Sequence, residues 1–246
     1  MNYKKELKKF NINLIATMSL VMFIVPLIIC GSINIFALNN KLLLTGKVYW
    51  DILIVLVGLV FGVVLHELLH ALGGIIAGKL STKDIKFGMN LKQGLFYCHL
   101  SKAMKVSQYR FVLLLPVVIT GIIPLIICTI FGNIFMVLLF CFMVSGGAGD
   151  IIMFFSLMKE DKDTKILDHS SAPAFYLLYP EDKLPENFVE CTEEMEKELI
   201  ASMSISPYST KKGDKKNPII KVLLIASFLA LVVLGVFLVA LVLKFV

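Results

Sequence analysis

The chain has 246 residues, 58% of them hydrophobic, a mean hydropathy of +0.85 and a formal net charge of +6. This excludes an ordinary soluble domain and predicts an integral membrane protein with a modest soluble portion. Lysines flanking membrane spans account for the charge, and no basic tail interleaved with aromatics suggests nucleic acid.

The N-terminus carries Lys4, Lys5, Lys8 and Lys9 ahead of an apolar run over 13–38. The run is long and lacks a small-x-small cleavage site, so an uncleaved anchor span is expected rather than a signal peptide. A second span is predicted over 50–77, and it contains His66-Glu67-Leu68-Leu69-His70, an H-E-x-x-H pattern. Two histidines four apart project from one helix face. A glutamate beside the first can reach a water on a metal held by the pair. A charge at the centre of a span costs about 2.5–3.5 kcal/mol on insertion scales, so ionisable residues there read as functional. The plainer alternative is a polar patch that hydrogen-bonds helices together.

Residues 84–90 and 94–100 read as two short extended runs around Leu91-Lys92-Gln93, a β-hairpin directly after the H-E-x-x-H helix. Its edge is a candidate surface for holding a substrate as an added strand. A third span is predicted over 111–131, kinked by Pro116 and Pro124, and a fourth over 134–158. The segment 172–180 is apolar but too short to span, and is expected to pack back on the membrane region or line a cleft. Glu193, Glu194, Glu196 and Glu198 suggest a solvated helix face, 205–218 a linker, and the uncharged run 222–243 a fifth span. His99 and His169 read as surface histidines. Tyr97 and Tyr109 read as interface aromatics, with an oxyanion donor as their other reading. The five cysteines contain no C-x-x-C pair and imply neither a disulfide framework nor a thiolate zinc site.

The fold class expected is therefore an all-α membrane protein of about five transmembrane helices with a small cytoplasmic hairpin. Its units are an anchor and external loop (1–49), a membrane core (50–180), a cytoplasmic linker (181–217) and a last span (218–246). Basic residues concentrate at the start, in 79–110 and in 211–221, so the positive-inside rule places these segments and the N-terminus in the cytoplasm. A multi-pass protein of the cell membrane is expected, with its oligomeric state open.

A catalytic zinc uses three protein ligands and an open position. His66 and His70 supply two. Within the interiors of the predicted spans the ionisable residues are His66, Glu67, His70 and Asp150, and Asp150 lies as far from the end of its span as His70 does, about eight residues or roughly 12 Å. Glycines at 146, 147 and 149, and at 73, 74 and 78, would let the helix backbones approach. Zn2+ held by His66, His70 and Asp150, with Glu67 as the catalytic base, is the site expected.

H-E-L-L-H on one span and Gly147-Ala148-Gly149-Asp150 on a later one look like the site-2 protease type of intramembrane zinc metalloprotease. Together with the nearby glycines and the proline-containing span between, they resemble more closely a family of membrane H-E-x-x-H proteins known as zincin peptidases. The resemblance covers about 50–180. It implies His66 and His70 as ligands, Glu67 as base and Asp150 as third ligand. Site-2 proteases set their aspartate in Asn-Pro-Asp-Gly or Leu-Asp-Gly, whereas Gly149 precedes and Ile151 follows Asp150 here. The function expected is a membrane-embedded zinc metallopeptidase cutting a membrane-associated protein or peptide near the cytoplasmic face, by intramembrane proteolysis or at the surface. The alternatives are a non-catalytic protein with a structural metal and a small metal or ion transporter; no internal repeat favours the last.

Overall fold

The computed structural model describes residues 2–39, 44–90, 95–169 and 174–204. The linker and last span expected over 205–218 and 222–243 lie outside the described residues. In chain order the elements are β1 (Tyr3–Lys9), α1 (Ile12–Ser32), α2 (Val48–Ile76), β2 (Ile85–Asn90), β3 (Leu95–Leu100), β4 (Met104–Lys105), α3 (Val106–Pro116), α4 (Ile123–Phe131), α5 (Ile134–Gly146), α6 (Ala148–Leu157), β5 (Lys165–Asp168), β6 (Ala174–Pro180) and α7 (Glu193–Ser204). The runs Ile33–Ala37 and Val117–Ile122 are wider, π-helical turns.

Among the described residues, three helical runs are long and apolar enough to cross a membrane: Ile12–Ala37, Val48–Ile76 and Val106–Phe131. The α5–α6 pair makes a fourth if counted as one span, but it bends by 42°. The fourth span expected over 134–158 is formed by two helices hinged at Gly147. Packing explains the hinge. A Cβ on Gly147 would lie 2.6 Å from Val117 Cγ2, so α5 and α6 meet the π-helical turn where only hydrogen fits. The other glycines of that cluster do not share this role, since a Cβ at Gly146 or Gly149 would meet nothing within 4 Å. Gly147→Val is expected to destabilise the protein by about 1–3 kcal/mol through overpacking, and Gly149→Ala by less than about 0.5 kcal/mol, as read by thermal unfolding in detergent.

Side chains at the helix ends fix the helices locally. Asp51, in the first turn of α2, accepts hydrogen bonds from the amides of Leu44 and Thr45 and from the Thr45 hydroxyl, folding the preceding loop onto the helix start. Buried Asn34 donates to the carbonyls of Cys128, Thr129 and Gly132, which pins the end of the first span to the end of α4. On α2, Gly58 and Gly62 face Leu139 and Met143 of α5 at distances that leave no room for a larger side chain.

The expected hairpin forms: β2 and β3 pair antiparallel from Ile85↔Leu100 to Asn90↔Leu95. The expectation of helices plus this hairpin alone is corrected by a second, four-stranded sheet in the order β1-β6-β5-β4. Its outer strand β1 is the lysine-rich start, paired from Tyr3↔Pro180 to Lys9↔Ala174. Four lysines in seven residues hide a strand from any apolar pattern. The partner β6 supplies what β1 lacks, because Ala174, Phe175, Leu177, Leu178 and Tyr179 are all buried. That strand, the short apolar segment of the sequence, packs with Ile166 of β5 against Val106, Tyr109, Val112 and Leu113 of α3. The sheet thus grips the first turns of the third span. Arg110 adds a second grip: its guanidinium donates to the carbonyls of Leu157 and Glu160, the negative end of α6.

Candidate metal centre

His66 and His70 sit on the last two turns but one of α2, and Asp150 in the first turn of α6. All three are at most 9% exposed. One ligand atom from each lies within 4.8 Å of the others, and this is the one such trio of potential metal ligands among the described residues. His66 Nε2 is 2.9 Å from Asp150 Oδ2, and His70 Nε2 is 3.4 Å from Asp150 Oδ1. The bend at Gly147 places Asp150 at the positive end of the α6 dipole, which favours a negative charge there.

The other nitrogen of each ring decides what these contacts mean. His70 Nδ1 lies 3.1 Å from the carbonyl of Val112. A carbonyl only accepts, so Nδ1 carries a proton, and Nε2 is left to face Asp150, as a lone pair for a metal when the ring is neutral. Pro116 explains why that carbonyl is free. Within α3 the amide of residue 116 would normally bond to it, and proline has none. His66 Nδ1 lies 3.4 Å from Thr120 Oγ1, whose own proton goes to the carbonyl of Pro116 at 2.8 Å. Thr120 can therefore accept from Nδ1, which leaves His66 Nε2 to face Asp150 in the same way. A proton on Nε2 would satisfy the carboxylate; with both rings neutral, two lone pairs and the carboxylate converge on a position for a cation. The donor set of two imidazole nitrogens and one carboxylate oxygen suits zinc, with a coordination position left for water. The outer hydrogen bonds orient both rings for that task.

The sequence pattern singled out the three candidate ligands that the structure brings together, but not Val112, Thr120 or Pro116. A backbone carbonyl and a threonine in an apolar run carry no motif, although a proline four residues after a carbonyl is a signal that the carbonyl is unpaired. Gly73 completes the approach: a Cβ there would sit 3.2 Å from Val112 Cα, so the glycine lets α3 come close enough for His70 to reach the carbonyl. Thr120→Val keeps the shape and removes the acceptor. It is expected to weaken zinc binding by about 10–100-fold, measured by competition with a chromogenic chelator.

Glu67 is partly buried, within charge range of His70, His66 and Asp150, and the backbone amide of Cys98 on β3 turns to its carboxylate. The hairpin thus abuts the ligand helix, and Leu100 packs on Gly74, one turn beyond His70. Burial pushes the Cys98 thiol up to about 12, and the charges of Glu67 and Asp168 add to this. It stays protonated at neutral pH, and it does not join the metal trio.

His99 and His169 are corrected from surface histidines to buried ones, 9% and 7% exposed, because the hairpin and the four-stranded sheet close over them. Neither joins the metal trio. Burial lowers the His169 pKa, which leaves the ring neutral at pH 7. Of the two tyrosines considered as oxyanion donors, Tyr109 is buried with its hydroxyl committed to Asp168 at 3.1 Å. Tyr97 is 39% exposed and covers Gly88 across the hairpin.

Comparison with known proteins accords with this geometry. Over 126 residues the chain is 28% identical to a Pyrococcus woesei protein described as "Uncharacterized 24.7 kDa protein in gap 5'region". The match covers 50% of this chain and 54% of that one, so the chain spans about half the length of the relative it matches. No solved structure matches the chain significantly. Residues 59–165, which contain His66, Glu67, His70 and Asp150 together with the Val112 and Thr120 that orient the rings, match the family described as "Putative zincin peptidase".

Proposed function

We propose that the protein is a membrane-embedded zinc metallopeptidase that hydrolyses peptide bonds of a membrane-associated protein or peptide near the cytoplasmic face. The observation that carries this reading is the convergence of His66, His70 and Asp150, each offering a ligand atom to one point, with Nδ1 of each ring turned to an acceptor outside the trio. The family match and the apolar helices support a peptidase in a membrane. The lysine distribution supports a cytoplasmic N-terminus.

Zinc bound by the trio would supply Lewis acidity and an acidified water. The chain's own residues do the rest. Glu67, partly buried beside His66, would accept a proton from the attacking water and return it to the leaving amine, the two transfers that amide hydrolysis needs. Thr120 and the Val112 carbonyl keep the rings from turning. The β2–β3 hairpin, lying against Glu67, offers an extended surface on which an unwound peptide can be held, since helical peptide bonds are shielded from attack.

The test is hydrolysis of fluorescence-quenched casein by the full chain in detergent micelles, with zinc measured on the same sample. Cleavage that requires zinc and is lost on chelation supports the reading. Zinc without any Glu67-dependent cleavage would reduce the metal to a structural pin, and metal uptake by proteoliposomes would point instead to transport.

A further inference from the structure

We infer that Asp168 is a positioning residue of this site: its carboxylate latches the β2–β3 hairpin to α3, the helix whose Val112 carbonyl meets His70. The inference rests on the peptidase reading for its functional consequence. Asp168 closes β5 and joins three elements. Its Oδ2 accepts from His99 Nδ1 at 3.2 Å and from the Leu100 amide at 3.2 Å, both on β3. Its Oδ1 accepts from the Tyr109 hydroxyl of α3 at 3.1 Å. Asp168's side chain is 16% exposed and that of His99 11%, so these bonds form largely out of water, where charge-assisted hydrogen bonds are strongest.

A two-stranded hairpin is marginal alone, and this one exposes Phe87 and Tyr97. Its anchorage runs through β3. Leu100 packs on Gly74 of the ligand helix, and the amide of Cys98 turns to Glu67. Cys98 and Leu100 are two apart, so their amides point to the same edge of the strand. That edge therefore runs from Glu67 at one point to Asp168 at the next. On α3, Tyr109 lies one turn before Val112, whose carbonyl holds His70. One carboxylate thus fixes the strand beside the general base and the helix behind a metal ligand. A peptide laid along the hairpin takes its register relative to the metal from that bond set. None of the three donors belongs to the metal trio, so the latch is separable from zinc binding.

The experiment uses the zinc-loaded full chain in detergent micelles and two variants, Asp168→Asn and Tyr109→Phe. The second removes one oxygen from the latch and protects the test against a fold lost in the first. Amide hydrogen exchange is read by mass spectrometry beside zinc content and the KM and kcat for casein. Asp168→Asn is expected to speed exchange within 95–100 by about tenfold, and Tyr109→Phe by about threefold, with exchange in α5 and zinc content unchanged. KM is expected to rise about fivefold in Asp168→Asn with kcat within about twofold, the signature of lost substrate placement. Unchanged exchange in 95–100 would overturn the latch. Faster exchange with an unaltered KM would overturn the positioning role. Faster exchange throughout the protein would make Asp168 an ordinary stabilising residue and would also overturn it. Absence of Glu67-dependent cleavage in the unmodified protein is a failure of the peptidase reading, and the exchange result still decides the latch.

Discussion

Glu67→Gln is expected to lower casein hydrolysis by about 10³-fold while leaving zinc content unchanged, since general acid–base groups contribute about 10²–10⁴-fold. The substitution preserves size and keeps an oxygen for the Cys98 amide, but the amide side chain takes no proton. Glu67 stands outside the trio of ligand atoms, so its loss should leave the metal in place. Steady-state rates beside metal analysis check both parts. Zinc retained with full activity would remove Glu67 from the chemistry, and zinc lost with activity would make it a ligand.

Asp150→Ala is expected to weaken zinc binding by more than about 100-fold, beyond the range for loss of an outer hydrogen bond. Asp150 is the one anion in the trio and the one ligand from α6, so its removal leaves two neutral rings on a single helix. The protein should still fold. Gly147 against Val117, Arg110 on the end of α6 and the sheet on α3 are independent of the carboxylate. Chelator competition measures the affinity, and size-exclusion chromatography in detergent reports the fold. Unaltered affinity would transfer the third ligand elsewhere.

The converging trio was legible in the sequence for a physical reason. Ionisable residues are so costly within a span that His66, Glu67, His70 and Asp150 stand out against the apolar background, and matching depth then paired Asp150 with the histidines. The hairpin was legible from its two short runs around a polar turn. The four-stranded sheet was not. Its edge strand is mostly lysine and its pairing partner lies more than 160 residues away in the chain, between Lys9 and Ala174 at the closest register. Local pattern carries no information about such a contact. The burial of His99 and the role of Asp168 follow from that sheet and were hidden with it. The hinge at Gly147 was half legible: glycines marked the region, but only the position of Val117 distinguishes Gly147 from its neighbours at 146 and 149. Pro116 was legible as an irregularity. That it frees the carbonyl holding His70 needed α2 and α3 side by side.

The central claim is that His66, His70 and Asp150 hold a zinc ion. Mass-spectrometric metal analysis of the detergent-purified full chain, beside His70→Ala and Asp150→Ala, tests it most directly. The account predicts about one zinc per chain, lost in both variants without loss of the folded state. No zinc in the unmodified protein after incubation with the metal, or zinc retained in both variants, would contradict it.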